Sequence, residues 1–282
     1  WNPNRRFRKY SGDQQNCNEY SLYERNDRRL IFMRTAQELN SLALRTRRLW
    51  NEDGYSPIDI FAIVNGWKDK KITIVRYPLS SRISGMCTKE KDDIVICINS
   101  TTSYGRQRFT LAHELYHVLY EEGMQRVICD MSMNGNKSDS EKEADQFASY
   151  LLMPYDALLE YEHNKGKWDL EKVIDAEQFF QVSHQAMLHR LVYDNLLDNE
   201  VADKYKSITV STVAAKLGYG KELYFPTDEK KQYFTTGEYI RKVEKMAEKG
   251  LISEGKKEEL LMDAYRADIV YNFDEEETNL ND

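Results

Sequence analysis

Arg106-Gln-Arg-Phe-Thr-Leu-Ala-His113-Glu114-Leu-Tyr-His117-Val-Leu-Tyr120 is the stretch on which the reading of the whole chain turns. At about 100° per residue, helix positions four apart share one face, one turn above the other. His113 and His117 therefore aim two imidazoles at one point, which is how a helix offers two nitrogens to a zinc ion. Glu114 sits about 100° round from His113, near enough to reach a water beside such an ion. A carboxylate placed there takes the proton as the water attacks a carbonyl. The competing reading is a pair of solvated or core histidines on an amphipathic helix. Leu111, Leu115, Val118 and Leu119 give the segment an apolar face, so it is packed. Arg106 and Arg108 near its start, and Glu121 and Glu122 near its end, oppose the helix dipole, so packing must hold it. Gly123 suits its stop. The chain has only five histidines, which makes two at this spacing hard to ascribe to accident.

Hydrolytic zinc sites use three protein ligands and keep a position for water, so a third ligand is expected downstream. The next strong helix is Ser140-Glu141-Lys-Glu143-Ala144-Asp145-Gln-Phe147-Ala148-Ser-Tyr-Leu151-Leu152-Met-Pro154. Positions 144, 147, 148, 151 and 152 form its apolar stripe. Glu141 lies about 60° from the centre of that stripe and Glu143 about 100° away on the other side, so Glu141 is the better placed carboxylate. Glu143 has a structural alternative, a Ser140-x-x-Glu143 capping box. Asp145 follows Glu141 by one turn and is placed to accept from the outer nitrogen of a ligand histidine. A solvated helix position is the competing reading of Asp145.

The two motifs together, His113-Glu-Leu-Tyr-His117 after Arg-Gln-Arg-Phe-Thr-Leu-Ala and Glu141-x-x-Ala144-Asp145-x-Phe147-Ala148-x-x-Leu151-Leu152-Met153-Pro154, resemble the ImmA/IrrE metallopeptidases. The resemblance spans roughly residues 55–195. It implies one zinc per chain on His113, His117 and Glu141, with Glu114 as general base. It also implies a gluzincin-like endopeptidase that cleaves a helix-turn-helix repressor and so releases genes of stress response, phage defence or mobile elements. It places residues 183–197 near the metal, which makes His189, or Arg190 beside it, a candidate donor to the oxyanion of the tetrahedral intermediate. A structural histidine is the competing reading of His189. The segments before residue 50 and after about 200 match nothing in the family pattern.

The net charge of −7 over 282 residues argues against a broad nucleic-acid surface. The balance is uneven. Residues 1–50 carry eleven basic residues against five acidic ones. That excess marks either a solvated helix face, the favoured reading, or a nucleic-acid or acidic-partner patch, and direct nucleic-acid binding is not expected. The four cysteines, Cys17, Cys87, Cys97 and Cys129, include no C-x-x-C pair and read as reduced thiols of a cytoplasmic protein. No stretch is apolar enough to span a membrane.

The fold class expected is α+β: a small antiparallel sheet packed on a helical zincin-like core, with an α-helical C-terminal extension. Residues 1–50 read as a basic arm followed by a helix over 28–50, and residues 51–198 as the metallopeptidase domain. Within it, a helix starts at Ser56-Pro57 and runs to Val64. Strands follow at Ile72–Tyr77, Ile83–Cys87 and Ile94–Asn99, the last two joined by a charged turn. An edge of that sheet is a candidate seat for an extended substrate. Residues 121–139 read as a loop between the two metal helices, either overhanging the site or merely connecting them. Residues 199–270 read as an extension, with a strand at Ser207–Val213 and helices over Thr236–Lys249 and Ser253–Ile269; an acidic, disordered tail follows over 271–282. Two rivals stand beside the peptidase. One is a non-catalytic regulator that keeps the metal fold and works by binding. The other is a DNA-binding regulator using the basic arm or residues 170–197, whose Phe179–Ala186 turn has a helix-turn-helix look.

Overall fold

The computed structural model describes residues 33–121, 126–130, 138–165 and 167–271. The expected arm over 1–27 and the acidic tail lie outside the described residues, save Tyr271. The expected loop over 121–139 is not all loop: Arg126–Asp130 forms a strand of the sheet, because its backbone pairs with the strand Ile83–Glu90, and residues 122–125 and 131–137 lie outside the described residues. Contacts divide the chain into Trp1–Met33 and Arg34–Asp282, and the elements below belong to the second unit.

Helix α1 (Ala36–Leu49) opens on a capping box in which Thr35 and Glu38 satisfy each other's backbone N–H. It buries Leu39, Ala43 and Arg47. Arg47 donates to the carbonyls of Asp53 (2.6 Å), Leu151 (2.7 Å) and Ser56, so one buried cation ties α1 to the following loop and to a later helix. Helix α2 (Ile60–Gly66) starts later than the proline suggested. Asp59 is its cap, accepting from Ala62 N at 3.1 Å, and Pro57 lies in the preceding turn.

Strands β1 (Lys71–Tyr77), β2 (Ile83–Glu90) and β3 (Asp93–Asn99) come next. Helix α3 (Tyr104–Tyr120), strand β4 (Arg126–Asp130) and helix α4 (Asp139–Leu152) follow. Then come α5 (Tyr155–Lys165), α6 (Leu170–Phe180), α7 (His184–Tyr193), α8 (Asn199–Lys206) and α9 (Val210–Lys216). Strand β5 (Phe234–Gly237) and helices α10 (Glu238–Glu248), α11 (Glu254–Asp263) and α12 (Ala267–Tyr271) end the described chain.

The sheet order is β4-β2-β3-β1-β5, and the mixed α+β class holds. The sheet is not all antiparallel, however, because β1 and β3 run parallel. The two-residue turn between β2 and β3 fixes their antiparallel pairing, while the link from β1 crosses the end of β3 to reach β2. Buried Asn99 secures that crossing by donating to the carbonyls of Ser80 (3.1 Å) and Ile83 (2.8 Å). Ile72, Ile74, Ile94, Ile96 and Ile98 are buried at alternate positions, and paired residues share a face as the period of two requires.

Helix α3 packs against the sheet, α2 and α4, with Leu111, Leu115 and Val118 buried. Its unfavourable charges are absorbed locally. Arg108 donates to the carbonyls of Gln181 (2.8 Å) and Ile58, and Ser103 caps the first turn. In α4 the cap is Ser138, which accepts from Glu141 N at 3.3 Å, so the Ser140–Glu143 capping box is not formed.

The C-terminal region also differs from the reading of its sequence. Ser207–Val213 is not a strand: it spans the end of α8 and the first turns of α9, whose Ala214 is buried near α6. Packing overrides β-branched propensity there. The expected helix 253–269 is broken between α11 and α12, where Tyr265 is left-handed (φ 60°). Strand β5 instead adds antiparallel to β1. It ends at Gly237 (φ 94°), where any Cβ would strike the Ile72 carbonyl, so only glycine closes that pairing.

Candidate metal centre

The central position of α3 holds His113 and His117 one turn apart with little freedom, at 5% and 1% exposed. Their Nε2 atoms stand 3.2 Å apart. Glu141, in the first turn of α4, reaches across with Oε2 3.3 Å from His113 Nε2 and Oε1 3.3 Å from His117 Nε2. Ligand atoms of these three residues lie within 4.8 Å of one another, so the trio could hold a metal ion.

The outer ring nitrogens face carboxylates. His113 Nδ1 is 2.9 Å from Asp145 Oδ1, and His117 Nδ1 is 2.6 Å from Glu121 Oε2. Glu121 in turn accepts from the Ser140 hydroxyl at 3.1 Å, which joins the end of α3 to the start of α4. Each carboxylate keeps a proton on Nδ1 and turns the lone pair of Nε2 inward. Two inward lone pairs and the Glu141 carboxylate repel one another unless a cation lies among them. The donor set therefore fits a divalent ion held by two imidazoles and one carboxylate. The electrostatics agree in sign. Burial alone would lower the His113 pKa, but its bonds to Asp145 and Glu141 outweigh this and hold it at about 9. Burial would raise the Glu141 pKa, and the two histidines instead pull it well below the usual carboxylate range. The pocket thus attracts positive charge at its centre.

Glu114 is fully buried beside this cluster. Its carboxylate rests on β2, where a Cβ on Gly85 would lie 2.8 Å from Glu114 Oε1. Glu143 points the other way. It accepts from the Arg34 guanidinium at 2.9 Å, from the Arg34 backbone N–H and from the Tyr116 hydroxyl. Its role is to seal α1 and α3 onto α4. His189 is exposed on α7, and Arg190 is buried, donating to Asp194 (2.6 Å) and Ser149 (3.1 Å) with its guanidinium over the Tyr150 ring. Neither bonds to the cluster. His184 belongs to a separate buried pair with Glu177 at 2.6 Å.

Glu121 and Gly85 were not singled out by sequence reasoning as parts of the site. Glu121 follows His117 by four residues, the same spacing that drew attention to the histidines. A glycine inside a strand signals close approach of another group.

Residues 68–192 match the family model described as the IrrE N-terminal-like domain, Peptidase_M78. Over this segment the chain is similar to an IrrE N-terminal-like domain. Every residue of the cluster falls inside it, as do Glu114, His189 and Arg190, whereas α1, α2 and everything from α8 onward lie outside. The family is one of metal-dependent peptidases, and the His113–His117–Glu141 trio inside the matched segment could hold a metal ion. No curated protein matches the chain. No described helix is long and apolar enough to cross a membrane.

Proposed function

We propose that the chain is a cytoplasmic zinc endopeptidase, with one zinc on His113, His117 and Glu141 and a protein substrate, a helix-turn-helix repressor. The observation that carries the reading is the convergence of two Nε2 atoms and a carboxylate whose supporting carboxylates, Asp145 and Glu121, fix both imidazole tautomers. The repressor as substrate rests on the family resemblance, and the free thiols of Cys87 and Cys97 agree with a reducing compartment.

Bound zinc supplies Lewis acidity to a substrate carbonyl and lowers the pKa of water. Glu114 takes the proton of the attacking water and hands it to the leaving amine. Its full burial beside the cluster places it where it can act on a water there. Asp145 and Glu121 keep the imidazoles from turning. Of the two α7 residues, Arg190 is committed to Asp194 and Ser149, so His189, with its exposed ring, is the one able to turn to a substrate oxyanion.

The test is Glu114→Gln on metal-loaded full-length protein, scored for metal content and for cleavage of repressors encoded nearby. Retained metal with turnover down by about 10²–10⁴-fold is expected for loss of a general base. Unchanged biological effect in the variant would instead favour a binding role. His189→Phe should lower turnover and spare the metal, and wild-type turnover removes it from the mechanism.

A further inference from the structure

Helices α3 and α7 begin against each other. A Cβ on Gly105 would lie 2.7 Å from the Ser183 backbone nitrogen, so a glycine lets the two starts meet. Beside them opens a cleft of about 500 Å³, within the range of about 300–1,000 Å³ that small-molecule sites occupy. None of the described residues lining it is an aspartate or a glutamate, although the chain carries a net charge of −7. One of them is Arg106. Its Nε is buried with no acceptor, and no described carboxylate pairs with its guanidinium.

The wall also offers hydrogens that nothing has taken up. Ser103 and Ser183 cap α3 and α7, accepting from Arg106 N (3.4 Å) and Ala186 N (3.3 Å). Each bond uses a lone pair of the oxygen and leaves its hydroxyl hydrogen to donate. Gln185, exposed in the first turn of α7, adds a side-chain amide. The carboxylate of Glu177 is fully buried and forms no part of the lining. Its oxygens are occupied by His184 Nδ1 (2.6 Å) and the Tyr224 hydroxyl (2.9 Å). One cation, donors from two helices and the positive ends of both are what the cleft presents. The oxygens of a carboxylate lie in one plane, whereas those of a phosphate point apart and can meet Arg106 and both helix starts together.

We propose that this cleft binds a small phosphate monoester, its phosphate held by Arg106 and by the Ser103 and Ser183 hydroxyls and its organic part in the remaining space. The helix starts support this. The cleft, its unpaired arginine and its carboxylate-free wall carry it. Val210, which opens α9, and Tyr224, in the single turn Glu222–Tyr224, line the cleft from outside the matched residues 68–192. The ligand would therefore join that segment to the C-terminal extension, and its binding does not depend on the peptidase reading.

The experiment titrates AMP, inorganic phosphate and acetate into the full chain by calorimetry, as wild type, Arg106→Gln and Gln185→Glu. AMP and phosphate should both bind the wild type, AMP the tighter. Each variant should weaken both about tenfold or more, one by removing the cation and the other by adding a like charge. Gln185 is exposed, so Gln185→Glu keeps the fold and decides the matter even where Arg106→Gln does not fold. Wild type that binds neither AMP nor phosphate overturns the proposal. Phosphate binding that the folded variants leave unchanged lies elsewhere, the metal centre included, and overturns it too. Phosphate without AMP overturns the monoester, and acetate that binds as tightly as phosphate and is lost in the variants overturns the choice of phosphate.

Discussion

Replacing Gly85 by alanine puts a methyl group into the space that Glu114 occupies. The new carbon would lie 2.6 Å from Thr110 Cγ2, 2.8 Å from Glu114 Oε1 and 3.1 Å from the Cys97 carbonyl oxygen. Carbon–carbon contacts settle at about 3.5–4.0 Å, so the Thr110 methyl must retreat by about an ångström and the carboxylate by several tenths. Thr110 and Glu114 are buried on a helix that is itself enclosed. Overpacking of this kind costs about 1–3 kcal/mol. In a chain of this size that lowers Tm by about 2–12 °C. A base displaced by up to an ångström loses up to about 10²-fold in turnover. Calorimetry, metal content and cleavage rate measured on the same preparation separate the two effects. Thr110→Ser removes the closest atom, so the double variant should regain most of the Tm. Its turnover should stay low, because the contact with Glu114 persists. Gly85→Ala with wild-type Tm and wild-type turnover refutes the packing argument. Full recovery of turnover in the double variant refutes the part that concerns Glu114.

Asp145→Asn and Glu121→Gln should each weaken metal affinity by about 10–100-fold, measured by competition with a chelating dye, because each loosens the tautomer of one histidine. Unaltered affinity in both would remove these carboxylates from the site. Glu143→Ala should instead destabilise by about 1–3 kcal/mol, leaving Arg34 and Tyr116 without their acceptor, while metal content stays at the wild-type level; loss of metal there would reverse the assignments of Glu141 and Glu143. For metal-free protein the His113 pKa is raised to about 9 from an ordinary value near 6.5, so protonated His113 stabilises the fold. That contribution is complete below pH about 6.5 and fades as pH climbs through about 9, so the Tm of chelated protein should fall across this window. Metal affinity should rise over the same range as the competing proton leaves. A flat Tm of chelated protein between those limits contradicts the linkage.

The helical spacing set His113 and His117 on one face and favoured Glu141 over Glu143 with Asp145 one turn on, while bringing the two helices to one metal came from the resemblance of the paired motifs. The period of two placed the sheet strands, whose isoleucines alternate cleanly. It did not reveal that β1 and β3 run parallel. Strand polarity depends on where the five-residue link after Tyr77 lands, and that is decided by hydrogen bonds from a single buried Asn99. Ser207–Val213 misleads for a different reason: β-branched residues report local preference, and Ala214 packing near α6 overrules it. Glu121 was legible as a charge and misjudged as a partner, since the same i to i+4 step that joins the histidines joins it to His117. Gly85 leaves room for Glu114 across a contact between strand and helix, which no local pattern records.

Strand β5 has a consequence for how far the peptidase segment is self-sufficient. The matched residues 68–192 include β1 and exclude β5, so a fragment cut at those limits would display the backbone of Thr73–Arg76 with its pairing groups bare. It would also lose α1, and with it the Arg47 bond to the Leu151 carbonyl and the Arg34 bond to Glu143. Such a fragment is a ready template for another strand, its own copy included, and is a poor candidate for excision or domain transplantation. The limits within which this sequence is recognisable are narrower than those within which it can fold, and residues far beyond the family pattern serve as its missing edge.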